Sequence, residues 1–191
     1  MSVAITVTKD TATPAINRLL SRLEPAQAAA AMGPVLQRLV QRHFRTLPPN
    51  QQGWPSTHFW ADAARSTTWR AHPEGVVVSV NKVGVRQRWK GGSIKPVRAR
   101  NLVFPAAAEA YGKLPRDFDN LRAVCFGRFS ALIRDSKHET APLDERIMFW
   151  IVKGVNQDEN PDVMPTRRRI LITAKTALQF SLIREALNAK T

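Results

Sequence analysis

The chain has 191 residues, 43% of them apolar and 23% charged, enough for a hydrophobic core and unlike a wholly disordered polypeptide. Its formal charge of +14 and pI near 11.2 favour a polyanionic partner, nucleic acid ahead of a membrane surface. Residues 1–100 hold 15 basic against 4 acidic side chains and residues 101–191 hold 14 against 11, so the excess sits mainly in the first half. One cysteine, Cys125, leaves no intrachain disulfide and no cysteine-rich metal site. Its apolar neighbours Val124 and Phe126 predict burial. The sequence has no apolar run of bilayer length and no signal-peptide pattern at its start, so a soluble protein made and kept inside a cell is expected.

In chain order, Val3, Ile5 and Val7 alternate weakly, as in a short strand or an arm over residues 1–12. Thr13-Pro14 opens a short helix through Leu19, Leu20 and Leu23. From Pro25 to about Arg45, Ala28, Met32, Val35, Leu36, Leu39, Val40 and Phe44 recur at three and four residues, predicting a long amphipathic helix that Gly33-Pro34 bends. Trp54, Phe59 and Trp60 then pin a loop to the body; base stacking by Trp54 and Trp60 is the weaker use of them. A brief helical piece is expected near residues 61–66.

Gly75-Val76-Val77-Val78-Ser79-Val80-Asn81 is β-branched and predicts a strand, with Val83-Gly84 turning into a second strand over residues 85–90. In that hairpin Arg86, Arg88 and Lys90 would share one face. An extended basic loop is read over residues 84–101, where Arg86, Arg88, Lys90, Lys95, Arg98 and Arg100 occur with no acidic residue between them. Gly91-Gly92 opens its second half, which predicts a presented segment that orders late, on binding. Residues 101–105 and 122–127 are strand candidates, Ala131-Leu132-Ile133-Arg134 is another short apolar run, and the apolar stretch over 145–155 is placed centrally in the sheet. Thr166 caps a final helix in which Ile170, Leu171, Ala174, Ala177, Leu178, Ser181, Leu182 and Leu187 share a face. Arg167, Arg168 and Arg169 in its first turn oppose the helix dipole, which makes them a candidate contact patch for an anion or an acidic partner.

An enzyme is not expected. His43, His58, His72 and His138 lack any H-x-x-x-H or H-E-x-x-H spacing, and Gly91-Gly92-Ser93 is followed by Pro96 and β-type residues where a phosphate loop would need a helix. Neither a catalytic residue nor a metal or cofactor site is assigned. The fold class expected is α+β: a small, mostly antiparallel sheet packed against a long N-terminal helix and a C-terminal helix, with long loops, in one domain over residues 1–191.

Four stretches carry a family resemblance: Gln41-Arg42-His43-Phe44-Arg45; Gly53-Trp54-Pro55 with Thr57-His58-Phe59-Trp60; Gly91-Gly92-Ser93-Ile94-Lys95-Pro96 with Leu102-Val103-Phe104-Pro105; and Ala110-Tyr111-Gly112-Lys113. Their order, with the last helix after Pro161-Asp162-Val163-Met164-Pro165, resembles the phage virion morphogenesis family, the tail completion and tail terminator proteins of tailed bacteriophages. The region over 122–146, with Phe126-Gly127-Arg128-Phe129, has no counterpart role in that pattern. The resemblance implies a virion protein that forms a ring, generally a hexamer, at the end of the tail tube or at the head–tail junction. Its implied partners are its own copies, the tail tube protein, head–tail connector or neck proteins and, without base specificity, the packaged DNA. The host cytoplasm would be the site of assembly. Basic side chains lining a DNA channel fit this role, because contacts to phosphate are independent of sequence and sensitive to salt. The rival expectation is a sequence-independent nucleic-acid-binding protein acting outside the virion.

Overall fold

The computed structural model describes Asp10 and residues 12–49, 53–127, 129–135 and 142–188. The strand expected over residues 3–8 lies outside them. The fold is α+β, and the chain divides into two compact units. The first spans Met1–Thr46, Ala63–Lys82 and Met164–Thr191, and the second Leu47–Asp62 and Val83–Val163.

The first unit contains the long helices. Helix α1 covers Ala12–Leu23 and α2 covers Pro25–Thr46, with Pro34 inside it. Asp10 caps α1, its Oδ1 accepting from the backbone N–H groups of Ala12 and Thr13, both at 3.0 Å. These bonds hold the Asp10 carboxyl below the usual range for an aspartate, the side-chain bond from Thr13 being the largest cause. Ala29, Gly33, Leu36, Val40 and Phe44 form the buried face of α2, a spacing of three and four that repeats for nearly the whole helix. That helix packs against strands β1 (Thr67–His72) and β2 (Gly75–Val80) and against the last helix, α6 (Arg167–Asn188).

Strands β1 and β2 form an antiparallel hairpin from Thr67↔Val80 to His72↔Gly75, joined by Pro73-Glu74. Residues 75–80 are therefore a strand as expected, but their partner precedes them in the chain. The expected pairing with residues 85–90 does not occur, since Val85–Lys90 is helix α4. Helix α3 (Phe59–Arg65) leads into β1, and Thr67 joins the pieces. Thr67 is 1% exposed; its Oγ1 donates to the Ala63 carbonyl at 2.8 Å, and its own carbonyl accepts from Gln37 Nε2 at 2.8 Å. A buried hydroxyl and a buried carbonyl are thus both satisfied, as the interior of a protein requires.

The second unit is built on an antiparallel sheet in the order β4 (Leu102–Pro105), β7 (Ile147–Val152), β6 (Phe129–Arg134), β5 (Leu121–Phe126). The apolar stretch placed centrally does lie between two strands, β4 and β6. The short helix α5 (Leu143–Arg146) leads into β7, whose Ile147, Met148 and Phe149 are all buried. The register between β6 and β7 shifts at Leu132/Ile133, the signature of a bulge. Met148 and Phe149 pack in one cluster with Ala110, Phe118 and Leu121, and Phe118 meets Phe149 edge-on at 5.7 Å. Ala131, Ile133 and Ile147 gather in a second cluster with Val124 and Phe126.

Cys125 departs from expectation. It lies on the edge strand β5 and is exposed, with Ser130 Oγ donating to its Sγ at 3.5 Å. Alternation along β5 turns Val124 and Phe126 inward and the residue between them outward, so apolar neighbours in sequence predict the opposite of burial in a strand.

Candidate functional site

The basic residues of the second unit occupy two different local structures. Gly84, at φ 91°, starts α4, where its carbonyl accepts from the Arg88 backbone N–H at 3.0 Å. In a helix, Val85, Arg88 and Trp89 share a face at spacings of three and four. Val85 is buried, and the Arg88 guanidinium lies 4.4 Å from the centre of the Phe59 ring and 5.7 Å from that of Trp60. Arg88 is therefore a half-buried stacking residue of the second unit. Arg86 and Lys90 project outward from α4, with Lys90 Nζ 4.1 Å from the Trp89 ring centre. So the three cations read as one face of a strand are distributed around a helix.

Gly91 ends that helix at φ 63° and donates to the Gln87 carbonyl at 2.8 Å. Strand β3 (Gly92–Ile94) follows at once and pairs antiparallel with β8 (Val155–Gln157), Gly92 opposite Gln157 and Ile94 opposite Val155. A Cβ on Gly91 would come within 2.6 Å of the Gln157 carbonyl and the Glu159 backbone nitrogen. The first residues of the expected loop are accordingly clamped by backbone. The extended loop reduces to residues 95–101, a run of bends between β3 and β4.

Within those bends Lys95, Arg98 and Arg100 are exposed, and Val97 is 96% exposed. Among the described residues, the side chains of Arg86, Lys95, Arg98 and Arg100 make no hydrogen bond or ion pair. The backbone of Asp158 and Glu159, which follow β8, rests against Gly91 at the start of the segment. The acidic, turn-rich connector over residues 156–165 is legible in the sequence, but its place beside Gly91 is not, since it lies more than 60 residues along the chain and is brought in by β8. The result is a short cationic segment held at both ends by strands, its three basic side chains exposed.

The aromatic anchors expected before α3 are present. Trp54 meets Tyr111 edge-on at 5.4 Å, and Trp60 Nε1 donates to the Pro48 carbonyl at 3.0 Å. His58 has a φ of 56°, and its backbone N–H donates to Ser56 Oγ at 3.1 Å. The Ser56 hydroxyl is thus engaged by backbone. Among the described residues no group of three or more His, Cys, Asp or Glu is placed to hold a metal ion, and no helix is long and apolar enough to cross a membrane.

A second surface feature of this unit was not legible in the sequence. Phe104, Phe129, Trp150, Val152 and Val155 line an open apolar hollow of 450 Å³. Phe104 and Trp150 are cross-strand partners, and Phe129 and Trp150 remain 59% and 38% exposed.

In the first unit, Arg167, Arg168 and Arg169 are exposed in the opening turn of α6. Thr166 caps this helix as expected, its Oγ1 accepting from the Arg169 N–H at 3.4 Å. Arg167, Arg168 and Arg169 belong to a different unit from the cationic segment.

Comparison with known protein families, with curated proteins and with solved structures finds no match to this chain.

Proposed function

We propose that the chain is a structural virion protein that forms a ring at the end of a phage tail tube or at the head–tail junction, around the DNA channel. The observation that carries this reading is the segment over residues 95–101, whose Lys95, Arg98 and Arg100 side chains have no hydrogen-bond or ion-pair partner among the described residues. Three cations on bends fixed by two strands suit sequence-independent contact with phosphate, and they offer no built pocket for a base or a small molecule. The resemblance in the order of the sequence motifs supplies the phage context. Exposed Phe129 and Trp150 support assembly, because apolar hollows of this kind are used at protein interfaces.

In this reading the ring is made of copies of the chain, touches the tail tube and connector or neck proteins, and has no catalytic step. Lys90, Lys95, Arg98 and Arg100 face the lumen or an acidic neighbour, whereas Arg88 stabilises the base of α4. Replacing those four residues by Gln tests the assignment in complementation of a phage lacking the protein. Loss of virion assembly or of DNA ejection, with the fold retained, is expected; unchanged assembly and ejection would refute the role of the segment. Retarding DNA as a monomer, with no ring and no dependence on tail partners, would instead favour a nucleic-acid-binding protein acting outside the virion.

A further inference from the structure

Helix α6 has two apolar faces. Ile170, Ala174, Ala177, Leu178, Ser181 and Leu182 are half-buried, and the helix packs on α2 and α1. Leu171 and Leu187, expected on that face, are instead 58% and 61% exposed. A second row, roughly opposite the first at about 100° per residue, consists of Ile172, Thr176, Gln179, Phe180, Ile183 and Leu187, all exposed and none charged. Phe180 alone is 67% exposed.

The spacing of this row is symmetric about the midpoint between Gln179 and Phe180. When two such helices run antiparallel, Ile172 meets Leu187, Thr176 meets Ile183 and Gln179 meets Phe180, each twice. Thr176, Gln179, Phe180 and Ile183 stand at i, i+3, i+4 and i+7, the four positions that form the hole receiving a knob in helix packing. The row already encloses such a depression, an open hollow of 490 Å³ lined by these four residues and Leu182. An antiparallel partner presents its own Phe180 beside that hollow.

We propose that α6 is the two-fold interface between two copies of this chain, with Phe180 of each copy seated in the hole of the other. An isologous contact needs one patch that is complementary to itself, and the symmetric row supplies it. The large apolar side chains of the row, Ile172, Phe180, Ile183 and Leu187, expose about 400 Å² at roughly 150–200 Å² per side chain. That matches the largest apolar patches of monomers, which are often functional, and is about half of the roughly 800 Å² per partner of a standard interface, the rest falling to the polar members and rim of the row. The absence of charge along the row also favours a second copy over an acidic partner, which would be recognised by cations among these positions. Since each copy carries +14, pairing is opposed by long-range repulsion and tightens with salt. Contact with DNA has the reverse salt dependence. The inference does not rest on the virion reading, for it concerns another unit of the chain and a different surface.

Sedimentation velocity of the full-length protein at about 0.15 M and about 1 M salt, where the screening length drops from about 8 to about 3 Å, tests it. A two-fold pair doubles whatever species other surfaces build, so Phe180→Asp is expected to halve the mass and to weaken pairing at least about 30-fold, as loss of a central aromatic anchor does. Leu171→Asp, at a position also more than half exposed but off the row, leaves the mass unchanged. In a Cys125→Ser background, Gln179→Cys beside the two-fold axis forms an intermolecular disulfide on mild oxidation, whereas Leu171→Cys does not. A Phe180→Asp protein of unchanged mass, association that weakens with salt, or equal cross-linking from positions 171 and 179 would each overturn the proposal.

Discussion

At the scale of single residues, the positions that decide the fold are those where a neighbour leaves no choice. Gly33 is buried in the middle of α2, and a Cβ there would fall on the Trp69 ring of β1. Alanine in a helix interior normally gains about 1 kcal/mol over glycine. Here the indole must shift or the helix must move away from the hairpin, and overpacking of this kind costs about 1–3 kcal/mol. Gly33→Ala is therefore expected to lower the urea midpoint. An unchanged or raised midpoint would show that α2 and β1 do not meet in this way. The ion pair of Arg134 with Glu109, two hydrogen bonds of 2.9 and 2.6 Å, gives a smaller and pH-dependent effect. The Arg134 hydrogen bond holds the Glu109 carboxyl below the ordinary glutamate range, and the same bond raises the Arg134 guanidinium. A lowered carboxyl pKa stabilises the fold above the unfolded value, and the stabilisation disappears as pH falls through the folded one. Glu109 is half exposed, so the pair is worth no more than about 1 kcal/mol. Comparing Glu109→Gln with the parent should give a stability difference that is greatest at neutral pH and closes in acid; a difference that persists in acid would mean the side chain acts by packing alone.

At the scale of elements, periodicity read the long helices and the central strand correctly and failed where two periods fit the same short run. Val85-Arg86-Gln87-Arg88-Trp89-Lys90 alternates as a strand would, yet Val85, Arg88 and Trp89 also share one side of a helix. The strand partner of β2 is β1, which precedes it in the chain, and residues 85–90 take the helical alternative. Thr67, Thr68 and Trp69 with the Pro73-Glu74 turn were the available signal for β1, a β-branched and aromatic start before a two-residue connection. No local signal could have announced the β3–β8 pairing, which joins segments 60 residues apart, and it changes what the glycines at 91 and 92 do. Their positive φ values serve a tight exit from α4 into a strand, so the segment is anchored before it reaches Lys95. Hydrogen exchange of the free protein should then divide the stretch, with the β3 amides at 92–94 slowed at least about 10-fold relative to those of 95–101. Uniform fast exchange over 91–101 would restore the loosely held loop that the sequence alone suggests.

At the scale of the whole molecule, the sequence conveyed the α+β class and a basic surface in search of an anion, but the apolar surfaces needed the structure. Trp150 reads as core within the apolar stretch over 145–155, and its exposure, like that of Phe129, follows only from strand register. Likewise, the final helix reads as one apolar face until its second row is seen to be uncovered. Cationic bends, an apolar hollow on the sheet and an uncovered helix row are the exposed features from which the two proposals are argued. The most direct test of the proposed ring is negative-stain imaging of the purified protein, alone and after adding phage tail tubes. Closed rings that cap tube ends are predicted; a protein that remains a monomer or dimer and leaves every tube end bare would contradict the account.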